Sequence, residues 1–255
     1  MRTIKLLLEY DGTSYQGWQS QRSGGAIQDI ISRTIASITG ERIRLIAASR
    51  TDAGVHALGQ VASFITGSDL SSEVLKRALN ANLPPDIRVL SADEAHSTFH
   101  PRYDAIKKRY VYLIRLSIDG SAFFSRYTWH VRTGLDTDAM HKAVEYLSGE
   151  HDFSAFRGTG CSAKTTVRTI STIRVSALDS LDFMTISILG SYIKITIEAN
   201  AFLRHMVRNI VGTLVEVGRG RISAGDIPDI LASRDRTKAG PTSPASGLFL
   251  EKVFY

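Results

Sequence analysis

Residues 43–65 read IRLIAASRTDAGVHALGQVASFI, and the reading of this stretch decides how the chain is built. Two apolar runs, Ile43 to Ala48 and Val61 to Ile65, are each long enough for a strand, and the polar segment between them contains Gly54. That pattern predicts a strand, a tight loop at a sheet edge, and a second strand. The loop carries more than a turn needs. Asp52 stands two residues from Arg50, and a neighbouring cation favours the ionised carboxylate. Gly54 permits backbone angles that hold the aspartate outward instead of packed. Spacing alone does not separate this from a surface turn with an incidental ion pair.

Working outward toward the N-terminus, Ile4 to Glu9 reads as a buried strand ended by the turn signal Tyr10-Asp11-Gly12. The loop that follows holds Tyr15, Gly17, Trp18, Gln19 and Gln21. Such aromatics and amides either cap a core or stack on and hydrogen-bond unpaired bases. Ile27, Ile30, Ile31, Ile35 and Ile38 recur at helical spacing, with Gly40 placed to stop the helix. Strands are predicted at Arg42 to Ala48 and Gln60 to Thr66. Ser71 then caps a helix whose apolar face is Val74, Leu75, Ala78 and Leu79. Asn80 to Pro85 ends that helix, and Ile87 to Ala92 is a short strand. The order β-α-β-β-α-β is the split ferredoxin-like arrangement. It defines a first α+β subdomain over residues 1–104, with a second over residues 105–255.

The second half opens on Lys107-Lys108-Arg109, followed by a strand in which Tyr110, Tyr112, Ile114 and Leu116 share one face. A basic triplet beside a tyrosine is either a solvated edge with a core ring or a place where phosphate and base are held together. Asp136 leads into a helix with Met140, Ala143, Val144 and Leu147 on one face. Gly149 to Phe156 is expected as an aromatic-bearing loop and Gly158 to Thr166 as a polar one. Strands follow at Thr169 to Ala177, Phe183 to Leu189 and Tyr192 to Glu198. From Leu203, the residues Met206, Val207, Ile210, Val211 and Leu214 form the buried stripe of a helix, and Arg204 and Arg208, four apart, form a basic stripe beside it. A short helix near Asp226 to Ala232 and a Pro/Gly/Ser-rich loop from Gly240 to Gly247 precede the last strand.

Net charge is +6 with a pI near 9.5, which suits a polyanionic partner such as nucleic acid. The single cysteine, Cys161, excludes an intrachain disulfide and a four-cysteine zinc site. His96 and His100 have helical metal-ligand spacing, but Pro101 argues against a helix there and no acidic ligands accompany them. No metal site is expected. The N-terminus runs straight into a strand, and no apolar run approaches the roughly 18 residues of a membrane span, so a cytoplasmic protein without membrane contact is expected.

Arg50 to Ala57, R-T-D-A-G-V-H-A followed by Gly59-Gln60-Val61, resembles the signature of the tRNA pseudouridine synthase I (TruA) family. Other blocks resemble it in order from Glu9 to Phe249: E-Y-D-G-T-S-Y-Q-G-W-Q-S-Q from Glu9, F-H-P-R from Phe99, K-R-Y-V-Y from Lys108, the Gly149 loop, the Ala199 to Gly212 block, and S-G-L-F-L from Ser246. The resemblance implies the pseudouridine synthase fold, two ferredoxin-like-type α+β subdomains flanking a basic active-site cleft. It implies isomerisation of uridine to pseudouridine at positions 38, 39 and 40 of the tRNA anticodon arm by a homodimer. Asp52 becomes the catalytic carboxylate, either a covalent partner or an aid to proton removal. Tyr110 and Leu248 sandwich a flipped-out base, Arg208 pairs with Asp52, and Arg50 faces the RNA. Lys107, Lys108, Arg109 and Arg204 are candidate phosphate contacts. No cofactor is required, because oxidation level and bond count do not change. Three rivals stand beside this reading: a silent RNA-binding module of the same fold, a metal-dependent phosphoesterase, and a paralogue acting on another uridine or RNA.

Overall fold

A computed structural model describes residues 1–21, 24–183 and 185–255. The chain forms two compact units, Met1–Ile106 with Phe249–Tyr255, and Lys107–Leu248.

The first unit runs β1 (Arg2–Tyr10), α1 (Ile27–Thr39), β2 (Ile46–Ala47), β3 (His56–Thr66), α2 (Ser72–Asn82) and β4 (Ile87–Ala95). β1 pairs antiparallel with both β3 and β4, and β2 pairs antiparallel with β3. The sheet order is therefore β4-β1-β3-β2. Ile4, Leu6 and Leu8 alternate into the core from β1 and are fully buried. α1 buries Ile27, Ile31 and Ile35 and ends on Gly40 in the left-handed conformation (φ 73°). The Ser71 side chain accepts a hydrogen bond from the Val74 N–H at 3.3 Å, starting α2. α2 packs on α1 and β4.

The expected strand Arg42–Ala48 is a two-residue strand. The Leu45 carbonyl accepts from Gln28 Nε2 at 2.9 Å, and Glu41 takes the Thr66 hydroxyl at 2.5 Å and the Gly67 N–H at 3.0 Å. Side chains thus occupy backbone groups that a longer ladder would use.

The second unit runs β5 (Lys107–Leu116), β6 (Trp129–Val131), α3 (Thr137–Glu145), β7 (Gly149–Asp152), β8 (Val167–Phe183), β9 (Ile186–Ala199), α4 (Met206–Gly218) and α5 (Ile227–Ser233). Its sheet order is β6-β5-β9-β8-β7. The core β5-α3-β8-β9-α4, with strands ordered β5-β9-β8, repeats the β1-α1-β2-β3-α2 plan of the first unit and its order β1-β3-β2. Both units are α+β. α3, capped by Asp136 accepting from the Ala139 N–H at 2.9 Å, packs against α4 and β8.

Two long strands replace the three expected between Thr169 and Glu198. Ser180 pairs with Leu189 and Leu178 with Tyr192, so one hairpin continues through Gly190. The expected strand Phe183 to Leu189 spans Met184, which lies outside the described residues. The expected loop Gly149 to Phe156 contributes β7 and a short 3-10 turn, Ser154–Phe156.

The last strand, β10 (Leu248–Phe254), returns to the first unit, where Phe249 and Leu250 pair in parallel with His56 and Ala57. Its arrival explains why β3 begins at His56 and not at the expected Gln60.

Candidate active site

In the first unit the Asp52 loop is a backbone turn fixed from four sides. The Val55 N–H donates to the Asp52 carbonyl at 3.1 Å, and Gly54 has φ 77°. A positive φ at the third position alone defines a type II turn, with Asp52 first. From one side, the Trp18 N–H donates to the Thr51 carbonyl at 3.0 Å. Gly17 (φ 84°) lies so close that a Cβ would stand 2.6 Å from that same carbonyl oxygen. The Thr51 hydroxyl meets Tyr10 Oη at 2.8 Å. Burial pushes the Tyr10 hydroxyl up to about 12, so it stays protonated and able to donate.

Gln60 is the base of this scaffold. It is fully buried in β3, and its amide holds both backbone groups of Ser49, donating to the carbonyl at 2.8 Å and accepting from the N–H at 3.3 Å. Nε2 also reaches Tyr10 Oη at 3.3 Å. On the other flank of the turn, buried His56 Nδ1 accepts from the Gly12 N–H at 3.1 Å, lies 3.1 Å from Asp11 Oδ1, and stacks on Phe249. Asp52 itself is half-buried and Arg50 is exposed. Gln60→Leu is expected to cost about 1–3 kcal/mol, because it removes the amide that satisfies the N–H and the carbonyl of half-buried Ser49. Urea unfolding measures this, and a change below about 0.5 kcal/mol would remove Gln60 from its clamping role.

In the second unit the basic triplet is tied down. Arg109 lies directly opposite Glu198 in the β5–β9 register. The Glu198 carboxylate takes Lys107 Nζ at 2.5 Å and Arg109 Nε at 2.6 Å. The Lys107 hydrogen bond, aided by Arg109 and opposed by burial, holds the Glu198 carboxyl below its usual range. Lys108 is buried, while Lys107 and Arg109 keep roughly a third of their side chains in solvent. Tyr110 is buried, its ring edge-on to Phe202 with centroids 5.0 Å apart.

α4 begins at Met206, three residues later than the periodicity suggests. His205 precedes it in the left-handed conformation (φ 60°), and the Arg204 carbonyl accepts the Gly158 N–H at 2.8 Å. Arg204 therefore lies outside the helix, donates to the Thr159 carbonyl at 2.9 Å, and shares no helical stripe with Arg208. Every residue of α4 is buried except Arg208. A helix enclosed on all sides presents one guanidinium.

The loop Gly240 to Gly247 steers that group. Arg208 Nε donates to the Ser243 carbonyl at 2.8 Å, and the Ser243 N–H donates back to the Arg208 carbonyl at 3.1 Å. Tyr112 Oη donates to the Pro244 carbonyl at 2.8 Å. Buried Asn209 accepts from Arg236 at 3.0 Å and from the Thr242 hydroxyl at 2.6 Å. Leu248, buried, follows this loop.

Sequence reasoning missed Gln60, Tyr10, His56, Glu198 and Asn209 as supports. A signal existed for Gln60, a lone amide inside an apolar strand that must bury it. None existed for Asn209, whose partners come from remote loops.

The sequence model of one family, described as tRNA pseudouridine synthase, matches residues 7–104 and 143–255. The chain is 49% identical over 255 residues to tRNA pseudouridine synthase A of Acetivibrio thermocellus, covering all of both chains. It is 45% identical to the protein of that name from a Thermoanaerobacter species, again over the whole of both. With its counterpart from Geobacter sulfurreducens it shares 45% identity over 99% of each. A fold of this class with this likeness is that of an isomerase that makes pseudouridine. The chain belongs to the tRNA pseudouridine synthase family.

Proposed function

We propose that this chain converts uridine to pseudouridine at positions 38, 39 and 40 of the tRNA anticodon arm, with Asp52 as the catalytic carboxylate. The observation that carries the reading is the scaffold under Asp52. Two backbone hydrogen bonds, the Tyr10–Thr51 hydroxyl contact and a buried amide fix a turn whose first residue is a half-buried acid, in a chain alike to tRNA pseudouridine synthases from end to end.

The reaction breaks the bond between C1′ and N1, turns the base, and joins C5 to C1′. C5 loses a proton and N1 gains one, so the product has the composition of the substrate and needs no external electrons. A carboxylate beside the ribose serves this exchange as covalent partner or as proton acceptor. The base leaves its stack to react. In this reading Tyr110 and Leu248 enclose it, Arg50 occupies the space it leaves, and Arg208 is the counter-ion of Asp52. Lys107, Arg109 and Arg204 face phosphates, positioning RNA without reading sequence, while Lys108, buried in β5, is left out of that set. The working unit is a homodimer that grips one tRNA across both subunits.

Incubation of the protein with unmodified tRNA in EDTA, followed by mapping of pseudouridine, tests this directly. Modification at 38 to 40 is expected, with an affinity that falls as salt rises by about 0.7–0.9 log units per log unit of salt for each phosphate contacted. Modification elsewhere would change the assigned substrate. Bound but unmodified tRNA would leave a silent binding module.

A further inference from the structure

The second unit contains an open cavity of about 280 Å³ that includes none of Tyr110, Arg208 or Leu248. Arg115 of β5, Trp129 and His130 of β6, Ser121, Ser125 and Ser246 are among its walls. Arg115 Nε and Nη1 are buried with no hydrogen-bond partner among the described residues. Arg115 as a whole is half-buried, and guanidinium N–H groups withdrawn from water without an acceptor are costly to leave so. Among the described residues no carboxylate lines the cavity. Arg115 to His130 also fall between the two stretches that the family model matches.

We propose that this cavity holds a backbone phosphate of the RNA, with Arg115 as its cation. The proposal rests on the tRNA reading above for the source of that phosphate. Its volume is at the small end of ligand sites, enough for a single phosphate with its sugar and too small for a folded element. The lining supplies donors beyond Arg115. Ser121 Oγ accepts the Phe124 N–H at 3.3 Å, which leaves its own proton to donate. His130 Nε2 donates to the Ser117 carbonyl at 2.8 Å, which fixes the imidazole in place. The half-buried Trp129 ring gives the flat apolar wall on which a ribose or base packs. Ser246 and Pro244, at the rim, belong to the loop that holds Arg208 through Ser243. A phosphate seated here therefore registers the RNA against the segment that steers Arg208.

The test uses the full chain with unmodified tRNA in EDTA, as wild type, Arg115→Gln and Ser125→Glu. Ser125 is exposed at the cavity wall, so the second variant offers Arg115 an internal carboxylate with little risk to folding. Both variants are expected to weaken tRNA binding about tenfold and to flatten the salt dependence by about one phosphate. A purely structural role for Arg115 would leave that slope unmoved and would overturn the proposal. Calorimetry with inorganic phosphate separates the sources. Phosphate binding lost in Arg115→Gln, with the tRNA slope unchanged, would make this a site for a free anion and would overturn the RNA assignment. A changed oligomeric state in either variant would give the guanidinium to a second copy of the chain and overturn it likewise. A flattened slope alongside a wild type that forms no pseudouridine would uphold the subsite while the proposed reaction fails.

Discussion

Asp52→Ala is expected to lower the single-turnover rate of pseudouridine formation by at least about 10³-fold while the protein stays folded and still binds tRNA. The magnitude follows from what a positioned acid–base or nucleophilic carboxylate supplies. The survival of the fold follows from how the turn is held. Its fixed contacts run through the Asp52 carbonyl, the Thr51 carbonyl and hydroxyl, and the Ser49 backbone, all of which alanine at position 52 leaves in place. Asp52→Asn, nearly isosteric, should lose as much rate, because the amide is a poor nucleophile and a poor base. Circular dichroism and tRNA binding check the first half of the expectation, and quenched single-turnover assays the second. A variant retaining a tenth of the wild-type rate would take Asp52 out of the chemistry.

The same turn illustrates what a sequence can and cannot disclose. Local features were legible because they are written in adjacent residues: the Ile27 to Ile38 periodicity, the stop at Gly40, the Ser71 and Asp136 caps, and Gly54 inside a polar gap between apolar runs. Arg50, Asp52, Tyr110, Arg208 and Leu248 came forward through family resemblance, since periodicity does not distinguish a reactive side chain from a solvated one. What escaped depends on distant partners. β10 joins β3 at His56 from nearly 200 residues away, and that contact moves the strand boundary. The start of α4 is set by a left-handed His205 and by a Gly158 N–H that reaches the Arg204 carbonyl, neither of which alters hydrophobic spacing. Gly190 reads as a strand break, yet the hairpin passes through it because both neighbours keep their ladder partners. The Lys107–Glu198–Arg109 cluster was hidden for the same reason. Adjacent positive residues look like a free basic patch until the register of β5 and β9 places an acid opposite them.

Gly212→Ala is expected to destabilise the protein by about 2–4 kcal/mol, although alanine is the better helix former by about 1 kcal/mol. Gly212 lies in the interior of α4, and a Cβ there would stand 1.6 Å from the Pro241 carbonyl oxygen and 2.8 Å from its carbon. The approach is reciprocal, because a Cβ on Gly240 would meet the Thr213 Cα at 2.7 Å. These two glycines let loop backbone lie directly on helix backbone, and neither rigid partner can swing aside as a side chain would. Relief requires the loop to lift. Lifting strains the bond from the Gly240 N–H to the Thr213 hydroxyl (2.9 Å) and the reciprocal pair between Ser243 and Arg208. Because the Ser243 carbonyl orients the one α4 residue that is not buried, the damage should reach function before it reaches global unfolding. At temperatures where Gly212→Ala is fully folded, the rate at saturating tRNA should still fall about tenfold, as displaced catalytic and positioning groups do. Gly134→Ala is the control: nothing lies within 4 Å of its Cβ and its φ is not in the left-handed range, so a change within about 0.5 kcal/mol is expected there. Chemical denaturation of the two variants side by side, with single-turnover rates, separates the cases. Equal stability would mean that the loop is not seated on α4. Lost stability with an unchanged folded-state rate would mean that Arg208 does not depend on the loop for its position.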